Sequence, residues 1–127
     1  MKHKCKAYIN NELHYGYPII ISEDECYLVK TTGIYDSTKY NSLPVDLNSI
    51  CRCTGLKDIN GKYIFENDVL KTDVYPHEKE FQVFWSKKEA AYMVISNMNV
   101  EYLLSDLFKA CKVASKSIEV VKNNLKI

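Results

Sequence analysis

Only one stretch of this chain repeats its apolar residues at helical spacing: Leu103, Leu104, Leu107, Phe108 and Cys111. Elsewhere apolar and polar residues alternate in short runs closed by turn-forming residues. Cys5, Ala7 and Ile9 alternate with Lys4, Lys6 and Tyr8, Asn10 and Asn11 form a turn, and residues 13–17 lead back. Pro18 cannot donate to a ladder, so it belongs at an edge or a bend. Residues 26–31 follow the acidic turn Glu23, Asp24, Glu25 as a further strand. One late helix among strands predicts a β-rich α+β domain, not βαβ units. We expect a small β-barrel-like body or a strongly bent antiparallel sheet, with the helix over about residues 99–113. Asn99 is its expected N-cap; Glu101 and Asp106 lie near its start, Lys109 and Lys112 near its end, as the helix dipole favours.

The middle of the chain carries the sharpest turn chemistry. Residues 49–54 read as a strand ending at Gly55. Asp58, Ile59, Asn60 and Gly61 then fit a type I turn whose glycine takes positive φ without a Cβ clash. Residues 62–65 follow, then a second tight turn at Glu66, Asn67 and Asp68, then residues 69–72. Residues 74–78 read as an exposed loop. Phe81, Val83 and Trp85 share one strand face, residues 86–89 turn the chain into residues 91–96, and residues 118–121 form a last strand. Between residues 32 and 48 periodicity fails, and we read loops around one extended piece at residues 34–40.

The chain has 127 residues, enough for a single domain over 1–127 with a core that needs no staples. Its 17 basic and 16 acidic residues nearly cancel, which excludes an acidic DNA mimic and a uniformly basic nucleic-acid coat. Arg52 is the only arginine, so bidentate guanidinium readout of bases or phosphates cannot be built. The longest apolar run, Pro18, Ile19, Ile20 and Ile21, is far short of the roughly 20 residues that cross a bilayer, so no membrane association is expected. No apolar stretch follows Met1, so no secretion signal is expected, and the expected location is the cytoplasm. Ten tyrosines are too many to bury completely, so several should stand half-covered at the surface.

Residues 53–71, C-T-G-L-K-D-I-N-G-K-Y-I-F-E-N-D-V-L-K, resemble the signature of the YopX family, approximately Y-T-G-L-K-D-K-N-G-K-E-I-Y-E-G-D-I-V-K. The opening Lys4, Cys5, Lys6, Ala7, Tyr8 is similar to the family's K-F-R-A-W. Residues 118–121 resemble its closing E-V-I-G-N, and residues 81–85 sit where it carries a strand. Asn67 and Lys122 each stand where that pattern has glycine. The resemblance implies a small phage or prophage protein with a compact β-barrel-like fold and no generally established enzymatic activity. The signature residues Thr54, Gly55, Asp58, Asn60, Gly61, Asn67 and Asp68 read as architectural turns.

No catalytic chemistry stands out. No local pattern joins a thiol or hydroxyl to a base, the four glycines form no phosphate-cradling loop, and Asp58-x-Asn60-Gly61 is too short for a calcium loop. Five cysteines read as reduced thiols. Cys51 and Cys53, at strand spacing, could meet His3, His14 or His77, but without a C-x-x-C pair they read better as small buried hydrophobes. We therefore expect no enzyme, no cofactor and no metal. From the phage setting that the resemblance implies, and not from any residue, the expected function is an accessory protein that binds a host protein, as an inhibitor of a defence system such as CRISPR–Cas or restriction. Such binding needs a patch on the order of 800 Å² per partner with a few aromatic anchors. Tyr35, Tyr40, Tyr75 and His77 are the candidate anchors, chosen from segments without an apolar period. The alternative is a small nucleic-acid-binding barrel using Lys2, Lys4, Lys6 and Tyr8 on one strand face.

Overall fold

The structure, a computed structural model, describes residues 5–31 and 40–124, with the side chains of residues 30, 31 and 40–42 excepted. The chain gathers into two compact units, one up to Cys53 and one from Thr54 onward.

The first unit is an antiparallel sheet. Its strands are β1 (Cys5–Ile9), β2 (Glu12–Ser22), β3 (Glu25–Thr31), β4 (Tyr40–Val45) and β5 (Ile50–Cys51), in the order β4-β3-β2-β1-β5. Asn10 and Asn11 have φ of 52° and 66°, so the β1–β2 hairpin closes on a two-residue turn whose twist matches the strands. The long β2 serves two neighbours in succession, β1 along residues 12–16 and β3 from Tyr17 to Ser22. Pro18 lies in the second half, opposite Leu28. Cys5, Ala7, Leu28 and Cys26 are buried on one face of the sheet. Gly16 shares that face, and a Cβ there would lie 2.6 Å from the Val29 carbonyl oxygen. The expected extended piece at 34–40 falls almost wholly outside the described residues. The strand found here is β4, which continues through Pro44 because it is an edge strand.

The second unit holds the larger core. The strand expected over residues 49–54 breaks at Arg52: β5 ends at Cys51, and β6 (Cys53–Lys57) pairs instead with β7 (Tyr63–Phe65) as a two-stranded ribbon. Strands β8 (Asp68–Lys71), β9 (Glu80–Ser86), β10 (Ala91–Ser96), β11 (Glu101–Leu103) and β12 (Glu119–Asn123) form a sheet ordered β11-β10-β9-β8-β12. Helix α1 (Leu104–Ala114) lays Leu104, Leu107 and Cys111 against Ile64, Leu70, Phe81, Val83, Val94 and Ile118. The apolar stripe thus closes a β core, as its spacing predicts.

The helix starts later than expected. Asn99 is not its N-cap but sits at φ 61° in the β10–β11 turn, and residues 101–103 are a strand paired to β10. Hairpin hydrogen bonds claim that backbone before the helix can. The cap is Leu103, extended and without a side-chain bond. At the other end Ser115 takes the left-handed conformation (φ 56°), with its amide on the Lys112 carbonyl and the Lys116 amide on that of Cys111. That is a Schellman closure with serine where glycine costs least. The fold is the expected β-rich α+β type: among the described residues the strands form three antiparallel sheets, and no barrel closes.

Two substitutions test these backbone arguments by chemical denaturation. Ser115→Gly should raise stability by about 0.5–1 kcal/mol, since the left-handed residue no longer strains a Cβ. Gly16→Ala should lower it by about 1–3 kcal/mol, because Cβ and the Val29 carbonyl cannot share the space.

Candidate interaction surface

The second unit is fixed by two buried carboxylates. Asp58 Oδ1 accepts from the backbone amides of Asn60 and Lys62, each at 2.9 Å, and Oδ2 accepts from the Val120 amide at 3.0 Å. Asp58 also exchanges backbone bonds with Lys62 and Gly61, with Gly61 at φ 78°. Burial pushes the Asp58 carboxyl up, but the amides of Val120, Lys62 and Asn60 and the Lys62 charge together hold it below its ordinary 3.8. Asp68, 1% exposed, accepts from the Phe65 amide and from Asn123 Nδ2, both at 2.8 Å. Asn67 stands at φ 69°, its amide on the Val83 carbonyl. At the other end of the β6–β7 ribbon, Gly55 is at φ 82°, and Thr54 Oγ1 donates to the Ile64 carbonyl at 2.8 Å. Both aspartates thus reach past their own turns to hold β12.

The four candidate anchors do not share one surface segment. Tyr35 lies outside the described residues, and Tyr40 begins β4 with its side chain undescribed. Tyr75 is half-buried against the core of the second unit, stacked on Tyr102 at 5.2 Å and tilted against Phe81 at 6.2 Å. His77 is exposed, and its carbonyl accepts from Asn97 Nδ2 at 3.3 Å. Asn97 Oδ1 also takes the Lys79 amide at 2.9 Å. Tyr102 Oη donates to Glu78 at 2.6 Å, and that bond, with burial and the Glu78 charge behind it, pushes the phenol up to about 12. The 74–78 loop is therefore pinned to the β10–β11 hairpin.

An aromatic surface lies elsewhere, on the first sheet. Residues paired directly across an antiparallel ladder share a face. By that register Leu13 faces Tyr8, Tyr15 faces Lys6, Tyr17 faces Val29 and Ile19 faces Tyr27. Four tyrosines and the aliphatic side chains of Leu13, Ile19 and the buried Val29 thus share one face. Tyr15 is 48% exposed, Ile19 50%, Leu13 41% and Tyr17 36%, while Tyr8 and Tyr27 are half-covered. Lys6 shares this face with Tyr8 as expected for the nucleic-acid-binding alternative, but it is buried; Lys2 and Lys4 lie outside the described residues. The signal was present as Leu13-x-Tyr15-x-Tyr17-x-Ile19, but the opposite alternation, His14, Gly16, Pro18 and Ile20, is scarcely more polar.

Among the described residues no three His, Cys, Asp or Glu side chains converge as metal ligands would, and no helix is long and apolar enough to cross a membrane. Cys51 is buried and Cys53 half-exposed, one on each side of the break at Arg52. Thr72 Oγ1 and Cys111 Sγ lie 3.3 Å apart within the core.

Among the described residues, antiparallel sheets, one α-helix and turns pinned by acidic side chains define a small β-rich α+β protein. The family model described as YopX protein matches residues 2–120, and the chain belongs to the YopX family. No curated protein and no solved structure matches it.

Asp58→Ala should lower stability by about 2 kcal/mol, because three backbone donors lose their acceptor. The depressed Asp58 carboxyl contributes stability that is fully present above its unfolded value near 3.8 and lost as pH falls through the lower folded value. Denaturation midpoints should therefore fall in acid for the wild type and vary less over that range for Asp58→Asn.

Proposed function

We propose that this protein is a non-enzymatic accessory protein that binds another protein through the face of β2 bearing Leu13, Tyr15, Tyr17 and Ile19. The observation that carries the reading is the exposure of Leu13, Tyr15, Tyr17 and Ile19 along one face of β2, with the half-covered Tyr8 and Tyr27 beside them. Contiguous apolar surface of this kind marks interaction sites, and tyrosine gives large contact area for little lost rotamer freedom. The partner we propose is a host protein, with inhibition of a bacterial defence system such as CRISPR–Cas or restriction as the outcome, acting in the host cytoplasm. Support for that setting is the phage and prophage occurrence that the family resemblance implies. Support for a protein and not a nucleic acid is the face's charge: its one cation among the described residues, Lys6, is buried. A base-stacking platform needs exposed cations beside its rings to track phosphates.

The test pairs affinity capture from host lysate with a variant. Tyr15→Thr with Tyr17→Thr removes both rings and keeps strand propensity, so the fold should persist. A protein band that survives nuclease and weakens at least tenfold with the variant is the expected result. A band unchanged by the variant, or one lost with nuclease, would defeat the proposal.

A further inference from the structure

After Ser115 the chain doubles back, and residues 116–118 run beside the 57–59 turn, where the Ile59 amide donates to the Ile118 carbonyl at 2.9 Å. Between this turn and the helix lies a groove of about 260 Å³. Its floor is apolar: Cys111 and Ile118 are buried and Phe108 half-buried, while Ile59 forms a wall and is 66% exposed. Its rim is cationic, with Lys57, Lys112 and Lys116 around it. Asp58 also lines it but is committed to three backbone amides. Lys57 Nζ stands 4.9 Å from the Tyr63 ring centroid, and Lys116 leans toward Asp73 at 3.9 Å.

We propose that this groove docks a segment of a partner protein carrying one or two apolar side chains flanked by carboxylates. Charge complementarity selects the flanks, since three ammonium groups surround an apolar slot whose one carboxylate is already used. Size selects the centre. The volume is below the roughly 300 Å³ at which small-molecule pockets begin, yet has room for a peptide's anchoring side chains. The inference rests on the protein-binding reading only in taking the partner to be a protein. It concerns a different unit from the tyrosine face and stands if that face binds nothing.

The experiment uses the purified full chain, labelled with ¹⁵N, and two short peptides with the same leucine–phenylalanine centre, one flanked by glutamates and one by lysines. The glutamate peptide should shift the amides of Ile59, Phe108, Lys112 and Lys116, and the lysine peptide should not. Lys57→Gln with Lys112→Gln, which removes both charges without reversing them, should weaken the glutamate peptide about tenfold while the circular dichroism spectrum stays that of the folded wild type. Ile59→Ser, at an exposed position, should weaken it as well. Equal shifts from both peptides, shifts confined to other residues, or undiminished binding by the variants would overturn the proposal. Decanoate shifting these amides where the glutamate peptide does not would also overturn it, by assigning the groove to a small amphiphile.

Discussion

The hydrogen bonds that Asp58 makes to backbone amides are the constraint from which the second unit takes its shape. One oxygen closes the turn on Asn60 and Lys62, and the other holds Val120, far along the chain. A turn held only by local bonds would fix one hairpin. This one also fixes where β12 runs, and Asp68 repeats the device through Asn123. With both ends of β12 held, Ile118 is delivered to the core under helix α1, where it meets Leu107 and Cys111. The short signature therefore specifies a long-range contact, which turn propensity alone would not require. Burying a carboxylate is tolerable here because the folded backbone supplies donors that water would otherwise provide.

The first unit is held together differently. Its buried side chains are mostly small, Cys5, Ala7, Cys26 and Cys51 beside Leu28 and Val29. Small side chains permit close backbone approach, and Gly16 takes this to its limit beside Val29. The consequence is a division of labour between the faces of β2. Over residues 13–18, His14, Gly16 and Pro18 face the more buried side, whereas Leu13, Tyr15 and Tyr17 stand on the more accessible one.

Legibility followed the range of each interaction. The Asn10–Asn11 hairpin and the run of strands through the signature rest on residues that are neighbours in the chain, so sequence order exposes them. The helix start was hidden because Leu103 fits both a helical stripe and a strand facing Met93, and only the β10–β11 pairing decides between them. Strand β4 was hidden because Pro44 reads as a breaker unless the strand is known to lie at an edge. The tyrosine face was hidden for a related reason. Both alternations of β2 are largely apolar, so periodicity identifies a strand without telling which side faces water. Tyr75, in a segment without period, finds its cover in Tyr102, a contact invisible to any local reading.

The surfaces argued for binding are built on ordered backbone, and this bears on how they could act. A sheet face presents its rings at fixed spacing because each is held by ladder bonds on neighbouring strands. The basic groove is framed by a capped helix end and a turn clamped by Asp58. Preorganised contact groups lose less entropy on association, so a modest patch on such a frame can hold a partner that the same residues on loose loops could not. By the same reasoning the pinned 74–78 loop is accessible at Pro76 and His77, while Tyr75 contributes through packing. Asp58, which binds no partner in this reading, fixes Ile59 in the wall of the proposed groove by clamping the turn that carries it.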